Sequence, residues 1–328
     1  MSRQRKIRDP VHGFVEIRNA EADLLDTPTL QRLRRIHQLA MAALVYPGAL
    51  HTRFDHTLGV LHVASRLCAT LGIDEDHERI VRIAAVLHDV GHGPFSHVSE
   101  AVLDDLALGK LGKVAGKKEK IHETITQKII LEHKDLRTLG EKDRQEVATL
   151  LKDGFDQRIY RDIVSGPLDA DKQDYLLRDS YFCGVKYGVY DIDQLHNTLC
   201  IGPDGEDRAL MVKPGGIHAL EQFVLAKYHL TTQIYKHKVR LITDNMLIRA
   251  IRLGVEEDKI GFLQKLYRYE DSGEYIRNYI GWDDRRLVTE ILKPTYARSY
   301  AGKLFRRLMD RQLLKRVFTL NIKGLPSQ

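Results

Sequence analysis

Along most of the chain, apolar positions recur three and four residues apart, the period of helices with one buried face. Leu58, Leu61, Leu67 and Leu71 predict a helix over 55–71 that stops at Gly72. Ile80, Ile83, Ala84 and Leu87 predict another that runs directly into His88-Asp89. Thr27 and Pro28 read as the cap and first turn of a helix that carries Leu30, Leu33, Ile36 and Leu39 to the core. Further helices are expected over 98–106, from 121, over 146–151 and over 168–180. A long one is expected over 217–253, on Leu220, Phe223, Val224, Tyr228, Ile234, Val239 and Ile242. The period shortens around Gly13 in residues 5–17 and across Pro203-Asp204-Gly205 in residues 200–212, and both read as hairpins. Residues 109–120 are rich in glycine and lysine and read as a mobile loop. The expected fold is mainly α: a helical bundle with small β-hairpins over 1–250, and a smaller mixed lobe over 251–328 packed on it.

Composition narrows the class. The 328 residues are 43% hydrophobic and 29% charged, ordinary values for a globular chain able to bury a sizeable core. No apolar run is long enough to span a bilayer, and the polar start lacks the apolar core of a signal peptide, so no membrane partner is expected. Cys68, Cys183 and Cys200 are odd in number and far apart, which fits free thiols in a reducing cytoplasm. The net charge of +6 suits an anionic partner, nucleotide or nucleic acid, and fits a plain solvated basic surface as well.

The candidate chemistry centres on residues 86–97. His88 and Asp89 are both normal ligands of divalent cations. Gly91, Gly93 and Pro94 then break the helix, so His92 and His97 can return to the same place from a loop. A second cluster, His51 to His56 with Arg53, lies upstream, and a third, Asp169 to Tyr175 with Lys172, lies downstream. Asp171, Asp174 and Tyr175 share one helical face. Three clusters of ligand-type residues with interleaved cations read as a phosphate-handling metal site. Off the apolar stripe of their segment, Gln31, Arg34, Arg35 and Gln38 read on their own as a solvated polar face.

The order His…His-Asp…Asp resembles the HD-domain superfamily of metal-dependent phosphohydrolases. The strings Asp9-Pro10-Val11-His12-Gly13, Asp26 to Arg34, Phe95-Ser96-His97 and Tyr235-Lys236-His237-Lys238 resemble its deoxynucleoside triphosphate triphosphohydrolase branch, which includes the catalytic core of the animal sterile-alpha-motif-and-HD-domain enzyme and bacterial relatives. The similarity runs from about residue 5 to about residue 245. It implies metal ligands at His56, His88, Asp89 and Asp171, holding one divalent ion (Mn, Fe, Ni, Zn or Mg), with additional Mg carried by nucleotide phosphates. It implies His92, His97 and His122 as the proton-transfer group tuned by Glu100, where the animal enzyme has Asp. Arg53, Lys172 and Lys227 would meet the phosphates, although relatives usually have Arg where Lys227 stands. Gln38, Leu39, Tyr175, Asp179 and Tyr235 would meet the deoxynucleoside. Asp26, Gln31 and Arg34 match positions that hold an activating guanine nucleotide between subunits of a tetramer.

These implications point to a cytoplasmic, homo-oligomeric dNTP triphosphohydrolase with a GTP or dNTP activator. Two alternatives stay open on the residues: a phosphodiesterase or nucleotidase acting on other nucleotides or nucleic-acid ends, and a nucleic-acid-binding regulator with a structural metal.

Overall fold

A computed structural model describes residues 5–107, 113–114, 117–118, 120–152, 158–204 and 207–318. The chain opens with a hairpin, β1 (Arg5–Asp9) and β2 (Gly13–Ile17), paired antiparallel from Arg5↔Ile17 to Asp9↔Gly13. Val15 and Ile17 are buried and Phe14 faces out, the alternation of a half-buried strand. Helices follow: α1 (Asn19–Leu25), α2 (Pro28–Gln31), α3 (Arg53–Leu71), α4 (Glu75–Leu87) and α5 (Ser96–Leu106). A two-residue pairing, β3 (Lys113–Val114) with β4 (Lys117–Lys118), precedes α6 (Ile121–Glu132), α7 (Glu141–Leu151), α8 (Arg158–Ser165), α9 (Ala170–Cys183) and α10 (Ile192–Thr198). The expected mobile loop over 109–120 falls mostly outside the described residues. The second expected hairpin is β5 (Leu199–Asp204) with β6 (Asp207–Val212). After it come α11 (Ile217–Leu230), α12 (Lys238–Glu256), α13 (Gly261–Tyr267), α14 (Gly273–Tyr279), α15 (Asp284–Ile291) and α16 (Tyr300–Met309). The fold is therefore mainly α, as the apolar period predicts. Among the described residues every secondary-structure element after β6 is helical, and the expected boundary at 250/251 lies inside α12.

The centre of the bundle is α3, buried on nearly every side and packed between α4 and α9. α12 lies against α5, α13 and α16, and one continuous apolar core runs from Val15 to Leu308. Gly72 ends α3 in the left-handed region at φ 64°, where no Cβ penalty applies.

Two expected helices are shorter than their periods suggest. The segment after Thr27 does start as expected, with the Thr27 side chain accepting from Leu30 N and Pro28 in the first turn. It then tightens into a 3₁₀ turn over Arg32–Arg35, and Ile36 is extended at φ −117°, ψ 111°. Leu30, Leu33, Ile36 and Leu39 are all buried, but His37 leaves the helix to bridge Thr52. The long helix over 217–253 is two helices. Thr231 and Thr232 turn their hydroxyls back onto the Lys227 and Tyr228 carbonyls at 2.7 and 3.1 Å. Such back-bonds loosen a helix. Here it widens into a π turn over Thr231–Tyr235, and α12 restarts at Lys238 with His237 as its cap.

Candidate metal centre

α3 begins at a capping box: Thr52 accepts from Asp55 N, and Asp55 accepts from Thr52 N at 2.7 Å. This places Arg53 and His56, both buried, in the first turn. α4 ends at His88, and the loop 89–95 passes close beneath α6. A Cβ on Gly91 would lie 2.3 Å from the His122 carbonyl oxygen. α9 starts at Asp169, which caps it by accepting from Lys172 N at 2.7 Å, so Asp171 stands in the first turn.

Three helix ends thus deliver the four expected ligands to one point. His56 Nε2 lies 3.0 Å from Asp171 Oδ1 and 3.7 Å from Asp89 Oδ2, and His88 Nε2 lies 3.4 Å from Asp89 Oδ1. Each ring is fixed by its other nitrogen: His56 Nδ1 donates to Asp174 Oδ2 at 2.7 Å, and His88 Nδ1 donates to the Ala85 carbonyl at 2.8 Å. Both Nε2 atoms are buried; His88 Nε2 makes no hydrogen bond, and His56 Nε2 meets the Asp171 carboxylate at 3.0 Å. Unpartnered buried nitrogens are costly. Anchored imidazoles converging on two carboxylates are the donor set of a divalent cation. The residues fit the ion. Burial opposes charge on His56, but Asp171 and Asp174 prevail and hold its pKa up at about 10, so a metal would enter by displacing a proton.

Below His56 lies Asp174, wholly buried. Its Oδ1 accepts from His12 Nε2 at 2.6 Å and from Arg178 Nη2 at 2.9 Å, while Oδ2 also accepts from Arg178 Nε at 2.8 Å. Arg178 Nη1 reaches Asp9 Oδ2 at 2.9 Å. Burial favours the neutral acid, but Arg178, His12 and His56 keep the Asp174 carboxyl well below its usual range. Asp9 Oδ1 in turn accepts from Val11 N and His12 N, so the hairpin turn exists to aim His12 at Asp174.

The remaining histidines gather on Glu100. His92 Nδ1 donates to one oxygen, and His97 and His122 donate Nδ1 to the other at 3.2 and 3.0 Å. The rings of His92 and His122 stack at 4.3 Å. Burial works against the Glu100 charge, yet His92 and His122 hold its carboxyl well below the usual range. Burial and then Arg53 press His92 down to about 4, whereas His122 is raised, Glu100 overcoming its burial. His97 is two-thirds exposed, so its free Nε2 is open to a bound molecule. Arg53 pairs with Asp89 and donates Nε to Ser96 Oγ at 2.7 Å. Phe95 and Ser96 stand in the left-handed region at φ 62° and 53°. For residues with a side chain that strain is about 1–3 kcal/mol each and needs support from outside.

A cleft of about 340 Å³ runs over these groups, within the range of small-molecule sites. Gln38, Arg53, His88, Asp89, His92, His97, His122, Asp171, Lys172 and Tyr175 line it, joined by Lys120, Glu123, Gln127 and Ser165, which the sequence does not single out. Gln38 Oε1 is buried without a partner. Lys172 donates to Asp169 and to the Gly166 carbonyl, so its ammonium is already engaged by the protein. Beside the cleft, Tyr235 donates to Asp179 at 2.5 Å and meets the Tyr175 ring edge-on at 6.3 Å, with His51 on the other Asp179 oxygen. Leu39 packs near Tyr235. Lys227 is exposed on α11 and is not among the residues lining the cleft. Gln31 and Arg34 form a surface pair at 2.9 Å, Gln31 reaches back to the Leu25 carbonyl, and Asp26 pairs with Arg5. Arg34 also lies over the Phe54 ring at 3.6 Å. Sequence reasoning misses Ser96, Arg178 and Asp284. Only Arg178 carries a local signal, its i+4 spacing from Asp174.

A helical bundle that brings two imidazoles and two carboxylates from three helix ends to an open cleft is a metal-site scaffold. Residues 53–179 match the HD domain and residues 196–328 match the HD associated region. A solved hypothetical protein from Aquifex aeolicus superposes with a TM-score of 0.75 at 31% identity, over 94% of this chain and 76% of that one. A solved phosphohydrolase from Bacteroides thetaiotaomicron gives 0.76 at 28%, over 95% and 78%. The deoxynucleoside triphosphate triphosphohydrolase SAMHD1 homolog of Dictyostelium discoideum is 32% identical over 82% of this chain and 52% of its own length. The chain belongs to the HD-domain family. It spans little more than half the length of the curated relatives it matches.

Proposed function

We propose that the cleft hydrolyses deoxynucleoside triphosphates to deoxynucleoside and inorganic triphosphate. One observation carries the reading: the unpartnered His88 nitrogen, the Asp89 and Asp171 carboxylates, the Arg53 guanidinium and the open His97 ring face one cavity, with Tyr175 lining it and the Tyr235–Asp179 pair alongside. His56, His88, Asp89 and Asp171 would hold the ion, which when bound supplies Lewis acidity to a phosphoryl oxygen and acidity to a water. Arg53, oriented by Asp89 and Ser96, balances charge growing on the phosphate. His97, steered by Glu100, donates to the departing 5′ oxygen, and His122, paired with the same carboxylate, keeps a proton on its own ring in reserve. Tyr235, held by Asp179, is the candidate to crowd a ribose 2′-hydroxyl. Asp26, Gln31 and Arg34 are the candidate activator residues, at the contact between subunits of an oligomer in the cytoplasm.

A second reading has its own support. Lys172 is engaged by Asp169 and the Gly166 carbonyl and Lys227 is not among the lining residues, which leaves few free cations for three phosphates and suits a shorter phosphoester.

Ion-exchange separation of products from Mn-loaded protein and each dNTP, with and without GTP, decides between them. Deoxynucleoside with intact triphosphate supports the proposal, and a GTP requirement supports the activator site. Stepwise dNDP and dNMP, or no turnover, overturns it in favour of the second reading.

A further inference from the structure

The turn Trp282-Asp283-Asp284, at the start of α15, reaches across the molecule to the loop that carries the histidines. Asp284 is buried, and its Oδ1 accepts from Phe95 N at 2.7 Å. Its Oδ2 accepts from both His37 N and His37 Nδ1, at 2.9 and 2.8 Å. Those two segments share one further group. Ser96 Oγ, next to Phe95, donates to the His37 carbonyl at 2.8 Å and accepts from Arg53 Nε. Arg53 then grips Asp89.

We propose that Asp284 is a positioning residue for the cleft: it locks the left-handed Phe95-Ser96 turn and so sets the Arg53 guanidinium against Asp89. The proposal rests on the cleft being the phosphohydrolase site argued above.

A carboxylate is needed for this because three N–H groups converge on two oxygens. An amide in its place would keep one acceptor and turn an NH₂ group toward a donor. The neighbours of Asp284 act on the same segments. Asp283 accepts from Arg35 at 2.6 Å. The Trp282 carbonyl accepts from Arg32 at 3.4 Å, and the same guanidinium donates at 2.6 Å to the carbonyl of Val90, the residue after Asp89. Two residues of the HD associated region, Asp284 directly and Trp282 through Arg32, therefore hold both ends of the loop between Asp89 and Ser96, while Asp283 holds Arg35; none of the three is among the residues lining the cleft.

The test uses Asp284→Asn, Ser96→Ala, their double variant and Glu290→Gln, a control on an outer turn of the same helix. At saturating Mn²⁺, Asp284→Asn keeps the wild-type ion stoichiometry, which measures the folded fraction. Its kcat falls about 10–100-fold, as for residues that orient a metal ligand. Ser96→Ala falls similarly, the double variant falls no further than the lower single, and Glu290→Gln matches the wild type. A double loss equal to the product of the singles, or an unchanged kcat in Asp284→Asn, overturns the proposal. If Asp284→Asn is not recovered folded, Asp284→Glu takes its place under the same criteria. If the wild type turns over no dNTP, the proposed reaction fails, and positioning is read from Mn²⁺ affinity alone. An affinity weakened about tenfold in Asp284→Asn, again non-additive with Ser96→Ala, supports it. An unchanged affinity overturns it.

Discussion

Replacing Asp174 with asparagine tests the foundation of the metal centre without touching a ligand. The carboxylate accepts four hydrogen bonds, two on each oxygen, from His12, His56 and Arg178. Asparagine keeps the shape but turns an NH₂ group toward two of those donors. Arg178, wholly buried, is left with Asp9 as its remaining carboxylate. Removing one partner of a buried ion pair costs about 3–5 kcal/mol. Unfolding entropy of about 2.1 cal/mol/K per residue makes each kcal/mol worth about 1.5 °C in a chain this long, so the melting temperature falls by about 4–7 °C. Melting in EDTA isolates this term, since no bound ion then adds stability. The second effect is on affinity. His56 loses the acceptor that fixes its tautomer, and Mn²⁺ binding, followed by the electron paramagnetic resonance of the free ion, weakens about 10–100-fold. A variant that melts within 1 °C of the wild type in EDTA and binds Mn²⁺ equally well would show that Asp174 neither supports His56 nor matters to the core.

Gly59→Ala should mimic that variant, because its Cβ would lie 1.8 Å from Asp174 Oδ1 and 2.4 Å from Arg178 Nη2. A loss of about 3 kcal/mol in denaturant melts is expected, and one under 0.5 kcal/mol would contradict the close approach. Glu100→Gln removes the charge that raises the His122 pKa against its burial. The imidazolium then deprotonates at lower pH, so the alkaline limb of the pH–rate profile moves down; an unmoved limb excludes His122 as the proton store. Tyr235→Ala opens the side of the cleft beside Asp179. The NTP to dNTP ratio of kcat/KM should rise at least about tenfold, and an unchanged ratio would remove Tyr235 from sugar discrimination.

The candidate ligands stand out in the sequence as clusters of histidine and aspartate, and the structure places those clusters at capped or broken helix ends. Thr52, Asp169 and the Gly91–Pro94 run all mark such ends. What the sequence hides is what happens through space. His37 leaves its helix because Asp284, 247 residues away, takes its N–H, and no periodicity in residues 28–39 contains that partner. The break in the 217–253 period has the same character. Thr231 and Thr232 fit an amphipathic helix as well as any residue, and only their choice to bond backward opens the π turn. Lys227 shows the converse. The family resemblance implies a phosphate contact for it, yet it is exposed on α11 and is not among the residues lining the cleft.

The clamp at Asp284 also has a consequence in time. Ribosomes add about 5–20 residues per second, so the 113 residues between Asp171 and Asp284 (284 − 171) take roughly 6–23 s to make. Throughout that interval a nascent chain carries every candidate ligand but not the turn proposed to steady Arg53. On the proposed role of Asp284, the residue that steadies the Arg53 turn is among the last parts of the machinery to be made, and the order of synthesis sets the donors of the cleft before their support.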